Sequence, residues 1–232
     1  MSERVILHCD CNSFFASVEM LLNPEYRNVP MAVCGNAENR HGIVLAKNEL
    51  AKAYGIEVDV LQAEWGERVD VALVEEQLTK KTYKAVTITH ADTSTGVASD
   101  LEALIPLIKR AGALAIVDGV VATAAMEEDM SKGYGEEQAK IDIVLTGSQK
   151  AIGIPPGLAI VAFSNEALAA RAALGTVRAY YADIENWRGV MNNPATYFAT
   201  PPVNLVYAYH AALKIVLAEG MDQRAARHVR FG

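Results

Sequence analysis

The sequence predicts an α/β fold in which a three-layer arrangement places a sheet of mostly parallel strands between helices on both faces. Two observations predict this class. Short apolar runs of strand length alternate along the chain with longer amphipathic segments. The apolar runs are nearly continuous, which is typical of parallel strands that are buried on both faces. The length of 232 residues permits one large domain or two small ones.

The first part of the chain predicts short, closely spaced elements. Strands are expected in "RVILHCD", "VPMAVCG" and "GIVLAKN". Helices are expected in "SFFASVEMLL" and "ELAKAYG". These elements end near the stretch "NELAKAYGIEVDVLQAEWGE", residues 48–67, where the character of the chain changes.

Downstream of residue 67 the alternation lengthens. Strands are predicted around residues 86, 115, 143 and 160, in "YKAVTITHAD", "ALAIVDGV", "IDIVLTGSQ" and "GLAIVAFS". Helices are predicted in "LEALIPLIKRAG" and "NEALAARAAL", and one long helix follows the double proline of the tail. The polar stretch 127–140 predicts an excursion on the surface. The four strands are expected to form the main sheet.

Composition and charge argue against some classes of function for this chain. The formal net charge of -7 argues against a broad nucleic-acid groove, which normally carries an excess of Lys and Arg. The start of the sequence has no charged segment followed by a long apolar one, so a cytoplasmic protein is expected. Cys9, Cys11 and Cys34 are odd in number and lack C-x-x-C spacing, which favours reduced, packed thiols.

Polar side chains follow three of the predicted strands. In open α/β sheets, ligands bind beyond the carboxyl ends of the strands, so these positions are candidate site residues. The set is His90, Asp92, Thr93, Ser94 and Thr95 after the first strand, Asp118 after the second, and Ser148, Gln149 and Lys150 after the third. Each also has an ordinary interpretation as a helix cap, a turn former or a solvated lysine.

The combination of a lysine with a carboxylate points to a particular chemistry. A lysine amine placed against an apolar sheet edge can lose its proton and form a Schiff base with an aldehyde. A carboxylate beside a pyridine ring keeps the ring nitrogen protonated, which makes pyridoxal 5'-phosphate an electron sink. A lysine and a carboxylate at one sheet edge are compatible with the chemistry of pyridoxal 5'-phosphate.

Three motifs carry a family resemblance. "VDGV", "LTGSQKAIGIPPGLAIVAFS" and "YFATPPVNLVYA" resemble the class V, fold-type I aminotransferases of the alanine-glyoxylate and serine-pyruvate group. The resemblance covers residues 57–232 and implies part of that fold's large domain. It implies Lys150 as the lysine of the internal aldimine and as the group that moves the substrate proton, with Asp118 as partner of the ring nitrogen. It places Val120 against the ring, Ser94 near the ring 3-hydroxyl and Gln149 near the phosphate.

The same resemblance implies a partner and substrates. Tyr197 and Thr200, in "YFAT", correspond to a pair that reaches the phosphate of the neighbouring subunit's cofactor, so a homodimer is expected. Small amino acids and 2-oxo acids are the implied substrates, and no membrane is involved. The family's phosphate-binding turn, rich in Gly, Ser and Thr, has no counterpart in residues 1–56, and the small C-terminal domain is not found after the large one. An incomplete, impaired enzyme is therefore expected.

Residues 4–56 resemble a different family, the Y-family lesion-bypass DNA polymerases, in their N-terminal palm segment. This resemblance implies Asp10 as a ligand of catalytic Mg²⁺, Phe15 as the residue that excludes ribonucleotides and Lys52 near the incoming triphosphate. Two-metal phosphoryl transfer requires several converging carboxylates, and one is found here. The first 56 residues carry 5 basic and 6 acidic side chains, which form no basic groove. Polymerase activity is not expected, and nucleic acid is not an expected partner.

The two resemblances predict a chimera with a junction at residues 56–57. Domain 1–56 would derive from a polymerase palm, and domain 57–232 from an aminotransferase large domain. The aminotransferases carry a strand at the place of "EVDVLQAEW", which would make the junction locally smooth. Three functional hypotheses follow: a pyridoxal-phosphate-dependent aminotransferase fragment, a polymerase-derived DNA-binding module, and a fused chain with no activity.

Overall fold

A computed structural model describes residues 59–177 and 179–231. The expectations for the first segment fall outside the described residues. They include the Mg²⁺ role of Asp10, the three cysteines, and the strands and helices before residue 57. The expected domain boundary at residues 56–57 also falls there.

The described residues form helices and strands in an alternating order. In chain order they are α1 (Val71–Lys80), β1 (Ala85–Thr89), α2 (Leu101–Arg110), β2 (Leu114–Asp118), β3 (Ile143–Gly147), β4 (Ala159–Phe163), α3 (Asn165–Ala173), α4 (Ile184–Asn192), a 3₁₀ turn (Pro194–Thr196), α5 (Val203–Glu219) and α6 (Met221–Phe231). In this part of the chain, no helix is long and apolar enough to cross a membrane.

The four strands form one sheet in the order β1-β2-β3-β4. Strands β1, β2 and β3 run parallel, and β4 runs antiparallel to β3. The first parallel pair is connected through α2, as a crossover between parallel strands requires. The predicted sheet of mostly parallel strands around residues 86, 115, 143 and 160 is therefore confirmed.

Helices cover both faces of this sheet, which completes the predicted three layers. On one face α2 buries Ile105 and Ile108 against the strands, together with Val117 and Ile141, in the larger of the apolar clusters. On the other face Ala167 of α3 belongs to a smaller cluster with residues of β2 and β3. Asp100 starts α2, since its side chain accepts a hydrogen bond from the Ala103 N–H at 3.1 Å.

The structure differs from the prediction at three helices. Helix α1 is an additional element, capped by Asp70, whose carboxylate accepts from the Ala72 N–H. Helix α4 is also additional. The long tail helix is divided into α5 and α6 at Gly220, whose φ of 83° lies in the left-handed region that glycine adopts without strain.

Two further features go beyond the sequence predictions. Residues 59–65, the described part of "EVDVLQAEW", run without regular structure before a turn, where the aminotransferases are expected to carry a strand. The stretch 127–140 is not simply a surface excursion, because the Tyr134 ring is buried in the larger apolar cluster. The Tyr134 hydroxyl accepts a hydrogen bond from the Asp129 N–H at 3.1 Å, so the stretch folds back onto the core.

Candidate active site at the carboxyl edge of the sheet

The carboxyl ends of β1, β2 and β3 meet at one edge of the sheet. In register, Thr89 faces Asp118, and Asp118 faces Leu145. The backbone continues this alignment beyond the strands, because the His90 N–H donates to the Asp118 carbonyl at 2.9 Å and the Gly119 N–H donates to the Leu145 carbonyl at 2.9 Å. The residues that follow all three strands are thus at the same edge.

Asp118 is the last residue of β2 and is partly buried. Its Oδ1 accepts a hydrogen bond from the Val120 N–H at 3.0 Å, which fixes the carboxylate relative to the loop that follows. Val120 is half-buried. The residue between them is glycine, and a Cβ there would displace Thr123 Oγ1 or the Glu128 carboxylate.

Lys150 lies on a short loop between β3 and β4 that Ser148 holds in place. Ser148 is fully buried; its Oγ donates to the Pro155 carbonyl at 2.8 Å and accepts from the Leu158 N–H at 3.2 Å. The loop is also closed by the Gly153 N–H, which donates to the Lys150 carbonyl at 2.9 Å. The serine therefore fixes the loop internally, while Lys150 is half-buried and Gln149 is exposed.

A buried acid-base pair lies behind this edge and was missed in the sequence. His90 Nδ1 lies 2.7 Å from Glu128 Oε2, and the two side chains are 6% and 2% exposed. Thr123 Oγ1 donates to the other oxygen of the same carboxylate. Sequence reasoning assigned Glu128 to a surface segment, since a partner 38 residues away leaves no local pattern.

In the turn after β1, some of the candidate side chains hold the turn together and another is exposed. Asp92 Oδ2 accepts hydrogen bonds from the Thr95 N–H at 2.9 Å and from Thr95 Oγ1 at 2.7 Å, so these two residues build the turn. Ser99 anchors it to the sheet by donating from Oγ to the Thr89 carbonyl at 2.7 Å. Ser94 is exposed at the tip.

Tyr197 and Thr200 lie on a different segment, between the 3₁₀ turn and α5. Both are exposed, and the Tyr197 side chain is 57% accessible. The Lys150 loop approaches this region, because a Cβ at Gly157 would be 2.7 Å from Leu205 Cδ1 near the start of α5. The start of α5, which follows this pair in the chain, therefore lies against the Lys150 loop.

Two cavities lie elsewhere in the described residues. One, of about 40 Å³, is lined by residues 63–69 and by the turn after β1, and it includes Asp92. The other, of about 140 Å³, lies between the sheet and α3 and includes Arg171 and Asp183. Lys150 and Asp118 line neither of them.

Comparison with known proteins identifies the family. The family model described as "Aminotransferase class-V" matches residues 16–231. The chain belongs to the class-V aminotransferase family. Alanine-glyoxylate aminotransferase 1 of Saccharomyces cerevisiae is 35% identical over 224 residues, which are 92% of this chain and 55% of the yeast protein. The crystal structure of alanine-glyoxylate aminotransferase from Nostoc sp. matches with a TM-score of 0.70 and 26% identity, covering 78% of this chain and 46% of that one.

These class-V relatives are about twice as long as the part that is matched, so the chain spans about half of their length. The fold they share with it is the fold-type I large domain. A second similarity is of another kind: DNA polymerase IV of Acetivibrio thermocellus is 65% identical over 54 residues, 23% of this chain. The class-V match excludes only residues 1–15 and residue 232. The polymerase match is longer than this excluded part, so the two matches share residues.

Class-V aminotransferases depend on pyridoxal 5'-phosphate, and the residues at the carboxyl edge fit this cofactor. The loop that carries Lys150 follows β3, and Asp118 ends the neighbouring strand, so an amine and a carboxylate are available from the same edge. Lys150 forms no ion pair with any other residue that the structure describes. The same part of the chain has no group of three His, Cys, Asp or Glu side chains able to hold a metal ion.

Proposed function

We propose that this protein is a pyridoxal-phosphate-dependent aminotransferase that moves an amino group between a small amino acid and a 2-oxo acid. One observation carries the proposal: the register of Asp118 with Leu145 puts the carboxylate at the same edge of the sheet as the Lys150 loop. When bound, the cofactor supplies an electron sink for the substrate α-carbon. The remaining roles belong to the side chains of this chain.

Lys150 and Asp118 divide the chemical work. Lys150 would hold the cofactor through its amine and would move a proton to and from the substrate α-carbon. The Asp118 carboxylate would keep the ring nitrogen protonated, and its bond from the Val120 N–H holds it in a fixed orientation. Val120 would pack against the ring, Ser94 would hydrogen-bond near the ring 3-hydroxyl, and Gln149 would approach the phosphate.

The proposed site also uses a second copy of the chain. Tyr197 and Thr200 are exposed, as residues that reach a partner's cofactor must be before assembly. The neighbouring helix α5 exposes large apolar side chains, among them Tyr207, Ile215 and Leu217. Apolar side chains of this size on one helix are typical of a protein interface. A homodimer is therefore part of the proposal.

Reductive trapping tests the assignment of the lysine. The full chain is incubated with pyridoxal 5'-phosphate, reduced with borohydride and digested, and the peptide that gains the cofactor mass is found by mass spectrometry. We expect the label on Lys150, loss of the label in Lys150→Ala, and unchanged labelling in the matched control Lys140→Ala, which removes an exposed lysine. Equal labelling of many lysines, or none on Lys150, contradicts the proposal.

The substrate class is tested separately on the cofactor-loaded protein. The yeast and Nostoc relatives are named for alanine and glyoxylate, so L-alanine and L-serine are the first donors to add. We expect the absorbance band of the bound aldehyde to decrease on addition of a donor, and to return with glyoxylate or pyruvate. A band that responds to neither donor excludes these substrates while leaving the Lys150 assignment intact.

We propose further that the chain joins two segments of different ancestry, residues 1–56 and 57–232. The 65% identity to a DNA polymerase over 54 residues supports this. Trypsin would release residues 53–68 as one peptide that crosses the junction. Its detection in the source cells supports a natural fusion, and its absence beside abundant flanking peptides opposes one.

A polymerase-derived DNA-binding role is the second candidate, favoured by the same similarity. In this alternative Asp10 holds Mg²⁺. The net charge of -7 predicts no salt-sensitive retardation of primer-template DNA by the intact chain. Retardation that disappears with added salt would favour the alternative instead.

A further inference from the structure

We propose that Arg224 is a positioning residue that fixes the Lys150 loop relative to the loop after Asp118. The inference rests on the proposed function, because it concerns the geometry of the two residues that would meet the cofactor. Arg224 lies on α6, far along the chain from both loops. Nothing in the motifs of the sequence singles it out.

The guanidinium of Arg224 joins three groups. Its Nε donates to the Ala124 carbonyl at 2.6 Å, its Nη2 donates to the Ala151 carbonyl at 2.5 Å, and its Nη1 pairs with Glu219 Oε2 at 2.8 Å. The residue is 8% exposed. A buried cation requires such partners, and this one finds two of them on main-chain carbonyls of separate loops.

Both carbonyls belong to the candidate site. Ala151 directly follows Lys150, so the hydrogen bond from Arg224 holds the peptide next to the reactive amine. Ala124 lies on the loop after Asp118 and has a φ of 68°, a left-handed conformation that alanine rarely adopts. Such a conformation persists when the surrounding structure holds it, and the bond from Arg224 does so here.

The geometry of the side chain explains why an arginine is needed. A guanidinium is planar, and its donors point in fixed directions, so two carbonyls bound to it have a fixed separation. A lysine ammonium is a compact point charge on a flexible chain, and it cannot impose that separation. Arg224→Lys therefore keeps the charge but removes the constraint between the loops.

Arg227 provides a matched control on the same helix. Its Nε and Nη2 donate to the two oxygens of Glu219, at 2.5 and 3.0 Å. The two arginines thus share one carboxylate, but the contacts to Ala124 and Ala151 belong to Arg224. Arg227→Lys makes the same chemical change without touching the loops.

The first test is hydrogen-deuterium exchange of the full chain, followed by mass spectrometry of peptides. In Arg224→Lys we expect faster exchange in segments 120–126 and 148–154 together, and no change in either segment in Arg227→Lys. Arg224→Gln is the companion variant, because it loosens the loops without leaving an unpaired buried charge if the lysine variant fails to fold. Unchanged exchange in the Arg224 variants, or equal changes in both arginine variants, overturns the inference.

The second test measures the reactivity of Lys150. The rate of its reductive trapping by pyridoxal 5'-phosphate should fall about 10- to 100-fold in Arg224→Lys, since small misplacements of reacting groups have effects of this size. Arg227→Lys should react like the unaltered chain. If Lys150 of the unaltered chain is never trapped, the proposed function fails, and the exchange measurement still decides whether Arg224 couples the loops.

Discussion

The two ends of the sheet each carry a lysine and an aspartate, and they use them differently. At the amino end Asp142 is 1% exposed and accepts from Lys109 Nζ at 2.7 Å, from the Ala115 N–H at 2.8 Å and from Ser164 Oγ at 2.9 Å. At the carboxyl end, Asp118 is partly buried, and Lys150 has no ion pair with any residue of the described part.

The comparison separates a lysine whose charge is used by the fold, Lys109, from one that forms no ion pair within the described residues, Lys150. The three donors that surround Asp142 tie α2, β2 and α3 together, so its charge is used for structure. At the other edge the Lys150 loop is fixed by its neighbours, Ser148 and Ala151, and not through the amine itself. A fold that positions an amine without binding it leaves that amine able to react.

The largest expected effect is at the amino end. Asp142→Ala leaves the Ala115 N–H and the Lys109 amine without their partner, and breaking a buried pair in this way costs about 3–5 kcal/mol. Urea unfolding would measure the change in the free energy of unfolding. Asp142→Asn, which keeps the acceptor oxygen, should lose less, and a loss below about 1 kcal/mol in Asp142→Ala would contradict the structural role.

Asp118→Asn should reduce cofactor affinity more than it reduces stability, the opposite of what is expected for Asp142→Ala. The amide oxygen can still accept from the Val120 N–H, so we expect a smaller loss of unfolding free energy than in Asp142→Ala. Cofactor affinity should fall about 10- to 100-fold, as expected for losing a hydrogen bond to a charged group. Spectroscopic titration with pyridoxal 5'-phosphate measures this. A large loss of stability with unchanged affinity would show that the two ends are alike.

Ser164→Ala tests how far the amino-end network extends. Ser164 Oγ accepts from the Ala167 N–H at 3.1 Å at the start of α3, and it also donates to Asp142. Losing a helix cap costs about 1 kcal/mol, and the bond to the buried carboxylate adds to this. Asp100→Ala removes a cap of the same kind from α2 and is the control. Equal losses of unfolding free energy in the two variants would mean that the bond to Asp142 contributes nothing.

The smallest expected effect is a loss of stability at acidic pH. Arg227 and Arg224 lower the pKa of Glu219 from 4.5 to about 2. A carboxylate with a lowered folded pKa stabilises the fold above its unfolded pKa, and this contribution is lost as the pH falls from about 4.5 towards 2. Melting temperatures measured between pH 6 and 2.5 should therefore fall more for the unaltered chain than for Glu219→Gln. Parallel curves would show that Glu219 does not stabilise the helix that carries Arg224.

Much of this edge could be predicted from the sequence because parallel strands impose it. The apolar runs located four strands, and the carboxyl ends of parallel neighbours share an edge, so Lys150 and Asp118 were expected together. An apolar run does not indicate whether its strand runs parallel or antiparallel to its neighbour, so the antiparallel orientation of β4 could not be predicted. The break at Gly220 had a visible signal, a glycine within a helical pattern.

Other features have no local signal. The partners of Arg224 are carbonyls 73 and 100 residues away, and main-chain acceptors leave no trace in residue types. Glu128 was misplaced for a related reason, since a polar stretch gives no indication of which of its members turns inward. The start of α1 did have a signal in Asp70 as a capping residue, but its amphipathic pattern is weak.

Helix α5 has a consequence for how this protein is handled. Tyr207, Ile215 and Leu217 are 72%, 68% and 70% exposed in the single chain. In the proposed homodimer, association binds the folded form and withdraws it from the unfolding equilibrium, so dilution would lower the melting temperature by mass action. Stability values for this protein are then comparable only at matched concentrations.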